Sequence, residues 1–202
     1  MADQKISAMP SATTPLVGDE LIPMVQNGIN VQSTLSAFGD YARENLFNYG
    51  DFAYSDGIQI GTANEVKSLL FNITGQHVNV DLGSPASNVV VSVAGVYSVI
   101  ISLQLSNTDA NFDNFTMWPV VDNVAVSSSA SVTSCPAKKG GHDGLAILTV
   151  QYTLAFAAGG ILRFDYYSPA GTTGIVTFPL SLVTPIHPAA PGALLSVIQI
   201  AA

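Results

Sequence analysis

Charge is what this sequence has least of. Only 10% of its residues are Asp, Glu, Lys or Arg, while 48% are apolar; ordinary soluble domains carry about 25% charged residues. A surface made from so few charges is largely neutral, and part of it is expected to be covered by copies of the same chain or by a partner. Basic residues are the scarcest, six Lys and Arg against fourteen Asp and Glu, for a formal net charge of −8. A negative field of that kind repels phosphate backbones, so no nucleic-acid binding is expected. Long apolar runs are also missing. The mean hydropathy is +0.39, but no run approaches the roughly 20 residues of a spanning helix, so no membrane association is expected. No basic flank followed by an apolar stretch opens the chain, and export through a signal peptide is not expected.

Catalytic groups are equally sparse. The single cysteine, Cys135, excludes an intrachain disulfide and a thiolate metal site, and reads as a small buried side chain. His77, His142 and His187 lie far apart, and there is no Gly-x-Ser-x-Gly elbow. In Gly140-Gly141-His142-Asp143-Gly144 a His and an Asp are adjacent, but neighbours in a glycine-rich loop point apart, and the segment reads as a surface turn. No phosphate-binding or dinucleotide loop is present. Asn107, Asp109, Asn111 and Asp113 alternate like the oxygen ligands of a calcium loop, yet the central glycine and the closing Glu are absent. These residues read as a connection between strands. No enzyme activity, no cofactor and no metal is expected. Asn72-Ile73-Thr74 and Asn114-Phe115-Thr116 match the glycosylation pattern by chance on this reading.

What the sequence does contain is β patterning behind a different kind of N-terminus. Residues 1–35 hold Pro10, Pro15 and Pro23 among small residues and read as an extended arm. Inside it, Asn27-Gly28 separates Leu21-Ile22-Pro23-Met24-Val25-Gln26 from Ile29-Asn30-Val31-Gln32, which is a two-residue hairpin signal. Pro23 lacks the amide hydrogen of a central strand, so this ribbon belongs at an edge. Ser36 is placed to cap a short helix reaching Leu46, with Leu35, Phe38, Tyr41, Ala42 and Leu46 near one side and Gly39 weakening it. Residues 36–63 are thus assigned to a short helix and a linker, and the main domain to 64–202.

That domain consists of short β-type runs between turn residues, the signature of a sandwich or barrel. In Gly95–Leu105, Tyr97, Val99, Ile101, Leu103 and Leu105 share a core face, while Ser98, Ile100, Ser102 and Gln104 share the other. Leu148, Val150, Tyr152, Leu154 and Phe156 repeat the pattern, opposite Thr149, Gln151, Thr153 and Ala155. Gly159-Gly160 then turns the chain, and Ile161–Tyr167 is expected to return beside the preceding strand. Asp122-Asn123 marks a further hairpin. No repeat of 20 to 50 residues is present, which argues against a solenoid or propeller. A strand face of Ser, Thr and Gln with almost no charge suits a contact between subunits better than open water.

Two resemblances follow. Ala94-Gly95-Val96-Tyr97 opening a long strand, Trp118-Pro119-Val120-Val121-Asp122-Asn123 running into a turn, Leu154-Ala155-Phe156-Ala157-Ala158-Gly159 before the next turn, and the final run Leu195-Ser196-Val197-Ile198-Gln199-Ile200 resemble the tumour necrosis factor-like jelly roll. Gly160 stands where that family usually has Asp. The resemblance implies an antiparallel jelly-roll sandwich and a compact trimer with aromatic and small polar residues along its axis. On that pattern the trimer interface is assigned to Tyr97, Ser98, Ile100, Ser102, Gln104, Gln151 and Thr153. The arm, through Lys5-Ile6-Ser7-Ala8-Met9-Pro10, Gly18–Gly28 and Thr34-Leu35, resembles the N-terminal segment of many tailed-bacteriophage virion proteins. There such a segment docks a fibre, knob or decoration domain onto the particle, which implies Ile6, Leu21, Ile22, Pro23, Val25, Asn27 and Gly28 as anchoring residues. The combined expectation is a homotrimeric capsid decoration or head-fibre protein on the particle exterior, bound through its arm to the major capsid protein or another virion protein. The alternative is a tail-fibre knob whose loops 106–114, 134–144 and 168–174 contact a host saccharide or protein.

Overall fold

The computed structural model describes residues 21–26, 29–37, 39, 48–179 and 188–201. Contacts divide the chain into two units, Met1–Leu46 and Phe47–Ala202.

In the first unit, β1 (Leu21–Gln26) and β2 (Ile29–Thr34) pair antiparallel, from Gln26↔Ile29 at the closed end to Leu21↔Thr34 at the open end. This is the hairpin expected of Asn27-Gly28, whose own two positions lie outside the described residues. Leu35–Ala37 are helical, but the cap is Thr34 and not Ser36: the Ala37 amide donates to Thr34 Oγ1 at 3.0 Å. A cap accepts from an amide two or three positions on, and only Thr34 stands at that spacing from the first turn. Except at Gly39, the rest of the expected helix lies outside the described residues.

The second unit contains β3 (Tyr49–Tyr54), β4 (Ile58–Ile60), β5 (Val66–Ser68), β6 (Ile73–Val78), β7 (Val80–Leu82), β8 (Val89–Val91), β9 (Gly95–Asn107), β10 (Asp113–Val121), β11 (Val124–Ala125), β12 (Ser131–Cys135), β13 (Gly144–Phe156), β14 (Gly160–Tyr167), β15 (Thr173–Val176) and β16 (Ala193–Ala201). Two antiparallel sheets result. In the first, β9 pairs with β13 on one edge and with β16 and then β15 on the other; β3 and β6 follow beyond β16, and β4 beyond β15. In the second, β10 and β14 are central; β11 and β12 flank β10, β5 and β8 flank β14, and β7 follows β8. The chain crosses repeatedly between the sheets as it proceeds, giving the jelly-roll sandwich that the resemblance implied.

The alternation in β9 sets the core. Tyr97, Val99, Ile101, Leu103 and Leu105 are all buried, facing Phe115 and Met117 of β10 and Leu162, Phe164 and Tyr166 of β14 in one apolar cluster. Aromatic pairs brace the inner face of each sheet, Tyr97 of β9 to Phe156 of β13 at 5.6 Å edge-on in the first and Phe115 of β10 to Tyr166 of β14 at 5.3 Å stacked in the second. Burying one such large apolar side chain stabilises the fold by about 1.5–3 kcal/mol. Cys135 is buried as expected, its thiol donating to the Gly144 carbonyl at 3.4 Å. Among the described residues, no helix is long and apolar enough to cross a membrane.

Two expectations are corrected. The sandwich begins at Tyr49, not near Asn64, because β3 lies between β16 and β6. Gly50 and Asp51 disguise this strand, yet Phe52 and Tyr54 alternate into the core as a strand requires. Secondly, β14 is not the neighbour of β13. β13 pairs with β9, and β14 with β10, β8 and β5. The turn at Ala157–Gly160, closed by Gly160 N–H to Ala157 O at 3.0 Å, carries the chain across to the opposite sheet. The apolar faces of the two strands therefore meet through the core, Tyr152 against Phe164 at 6.0 Å. The Asp122-Asn123 hairpin is as expected: both residues have positive φ, 49° and 65°, and Val121 pairs with Val124.

Candidate functional site

The register of the first sheet assembles its outer face row by row. Ala53, Leu194, Ser102 and Thr149 lie across β3, β16, β9 and β13; the next row is Asp51, Ser196, Ile100 and Gln151; the next is Tyr49, Ile198, Ser98 and Thr153. Side chains two apart along a strand share a face, so these twelve positions form one continuous surface, with Asp51 its single charge. Short polar groups satisfy one another across it. Ser102 Oγ and Thr149 Oγ1 are 2.9 Å apart, Gln151 Nε2 donates to Ser98 Oγ at 2.9 Å, and Gln104 Nε2 donates to the Pro191 carbonyl at 2.9 Å.

Between the polar groups stand apolar ones. Ile100 is 39% exposed, Leu194 52%, Ile198 47% and Ile147 72%. A groove of about 470 Å³ runs over Ile73, Ile100 and Leu194. The final strand makes the point most clearly, since Leu195 and Val197 fill the core while Leu194 and Ile198 face outward. A strand apolar on both faces is the mark of one covered on both, whereas an antiparallel sheet open to water alternates. The outer face thus combines apolar side chains with neutral, mutually bonded polar groups and almost no charge to desolvate.

Of the interface residues assigned from sequence, Ser98, Ile100, Ser102, Gln104, Gln151 and Thr153 are brought together on this face. Tyr97 is not. It is fully buried on the opposite side of β9 and its hydroxyl donates to the Val93 carbonyl at 2.8 Å; one-residue parity turns it into the core, where no other subunit reaches it. Leu145, Ile147, Leu194 and Ile198 were not assigned from sequence. Their signal was the two-sided apolar run in β16 and the apolar start of β13.

The loops 106–114, 134–144 and 168–174 converge at one end of the sandwich. Asn107 is buried, and its Nδ2 donates to Asn111 O at 2.8 Å and Pro136 O at 3.1 Å. The buried Asp113 carboxylate accepts from the Ser168 hydroxyl, from the Ala170 amide at 3.3 Å and from Thr172 Oγ1 at 3.3 Å. Burial pushes this carboxyl up, but the hydrogen bonds it accepts, led by those from Ser168 and Ala170, together outweigh burial and hold the group below its ordinary value. Asp143 turns away from His142 to Lys138 Nζ at 3.1 Å and Ser106 Oγ at 3.3 Å. The Asn107–Asp113 series is thus a hydrogen-bonded clasp. Among the described residues no three His, Cys, Asp or Glu side chains are grouped to hold a metal ion.

In the arm, Leu21 is 60% exposed and Ile22 half-buried, and Pro23 and Val25 lie in β1. Ile6, Asn27 and Gly28 lie outside the described residues.

No family model matches the chain, and no curated protein matches it. Among solved structures, it is similar to Eiger TNF from S. frugiperda, with a TM-score of 0.50 and 12% identity, covering 76% of this chain and 92% of that one. At that identity the likeness is one of fold, and the fold of this chain is the tumour necrosis factor-like jelly roll.

Proposed function

We propose that this chain is a structural protein of a tailed-bacteriophage particle, a homotrimeric capsid decoration or head-fibre protein held on the particle exterior by its N-terminal arm. The observation that carries the trimer is the nearly uncharged outer face of the first sheet, with Ile100, Leu194 and Ile198 exposed among bonded Ser, Thr and Gln side chains. The arm resembles virion attachment segments, and it falls within the first of the two units of the chain. A protein that binds only the assembled shell stabilises that shell by linkage, and this role needs no catalytic group, cofactor or metal.

A second reading, a tail-fibre knob recognising a host saccharide or protein, is favoured by the convergence of loops 106–114, 134–144 and 168–174 at one end of the sandwich. Binding to purified particles separates the parts of the proposal. A chain lacking residues 1–46 should lose particle binding yet remain trimeric; undiminished binding would reject the arm as anchor.

A further inference from the structure

Among the described residues no third strand pairs with the N-terminal hairpin, and Pro23 decides which of its two edges another strand can complete. The closing pair Gln26↔Ile29 brackets two residues, so it is a hydrogen-bonded pair, and bonded and non-bonded pairs alternate along an antiparallel ladder. Met24↔Val31 and Ile22↔Ser33 are then the other bonded pairs. Leu21, Pro23 and Val25 on β1, and Asn30, Gln32 and Thr34 on β2, direct their backbone groups outward. Pro23 is the middle outward position of β1 and has no amide hydrogen, so a strand laid along that edge meets a missing donor at its centre. Gln32, directly opposite Pro23, is the middle of an edge that keeps every donor.

Protein sheets guard exposed edges with Pro, Lys or other charges. β1 has Pro23; β2, Ile-Asn-Val-Gln-Ser-Thr, has neither proline nor charge. A two-stranded ribbon alone is marginal in water, and a third strand completes it. We propose that the arm docks by β-strand addition, the outer edge of β2 pairing with an exposed strand edge of a different virion protein. This rests on the reading of the arm as the anchor. Symmetry argues against a second copy as the occupant. A threefold ring of hairpins must join β2 of one copy to β1 of the next, and that β1 edge is the one Pro23 interrupts. A β2-to-β2 contact is twofold and leaves the third hairpin of a trimer unpaired.

The test titrates the full-length protein onto particles stripped of it and measures co-sedimentation. Gln32→Pro removes the central outward donor of β2 without touching the ladder inside the hairpin, and should weaken binding about tenfold or more. Gln32→Thr should bind as wild type. Val25→Pro places the same ring on the outward edge of β1, at the same backbone cost, and should weaken binding far less than Gln32→Pro. If Gln32→Pro binds normally while removal of residues 1–46 abolishes binding, the anchor stands and the edge assignment is overturned; hairpins that paired only with one another would give this result. If Val25→Pro weakens binding as much as Gln32→Pro, the assignment to β2 is overturned. If removal of 1–46 changes nothing, the anchor reading itself fails.

Discussion

Ile100→Asp strikes the centre of the outer face. Ile100 is 39% exposed and lies between Gln151 of β13 and Ser196 of β16. Fully burying such a side chain is worth about 1.5–3 kcal/mol, so covering the part still exposed in one chain contributes about 0.6–1.2 kcal/mol per subunit. Aspartate forfeits that and takes a carboxylate out of water, at several kcal/mol per ion after relaxation. Asp51 lies two strands away in the same row and adds repulsion. With about 3 kcal/mol for desolvation, each subunit loses roughly 3.5–4 kcal/mol and the trimer roughly 11, a change of about 10⁸ in its dissociation constant. Sedimentation equilibrium at micromolar concentration should therefore show a wild-type trimer, an Ile100→Thr trimer and an Ile100→Asp monomer. Circular dichroism of the monomer should keep its β signature, because the core lies on the other face. A wild-type monomer, or a trimer that survives Ile100→Asp, would refute the reasoning.

Tyr97→Phe should cost about 1 kcal/mol in urea denaturation, through loss of the hydroxyl bond to Val93 O, and leave the oligomer unchanged; dissociation would place Tyr97 at the interface after all. Asp113 has a folded pKa below its ordinary value, so its carboxylate contributes stability that is fully present above the unfolded value of about 3.9 and is lost as pH falls through the lower folded value. Asp113→Asn should lower stability at pH 7 and flatten the acid limb of the urea midpoint against pH; an unaltered acid limb would contradict the clasp. At Gly144 an added Cβ would lie 1.8 Å from the Pro136 carbonyl oxygen, so Gly144→Ala must shift backbone and should cost roughly 3 kcal/mol or more in thermal denaturation.

Local signals carried much of this fold into the sequence. Alternation in Gly95–Leu105 gave the face that Tyr97 to Leu105 bury, and Asp122-Asn123 gave a hairpin because both positions need positive φ. Periodicity says which side of a strand meets the core, not which strand lies beside it. The neighbour of β13 is therefore not legible in the sequence: the loop at Ala157–Gly160 looks the same whether the chain returns in its own sheet or crosses to the other. β3 reads as a connector in the sequence because Gly50 and Asp51 are poor strand formers, although Gly50, Phe52 and Tyr54 keep the inward alternation. The outer face was half legible. Its Ser, Thr and Gln residues stood out for lack of charge, but Leu194 and Ile198 were hidden in a run apolar at every parity. The clasp around Asp113 was not legible at all, since its partners come from residues 168–172, more than fifty positions away.

Imaging intact particles with a label on the full-length chain tests the central claim most directly. The expected result is label on the head, grouped in threes and absent when residues 1–46 are removed. Label confined to tail tips, or particles that carry none, would contradict it.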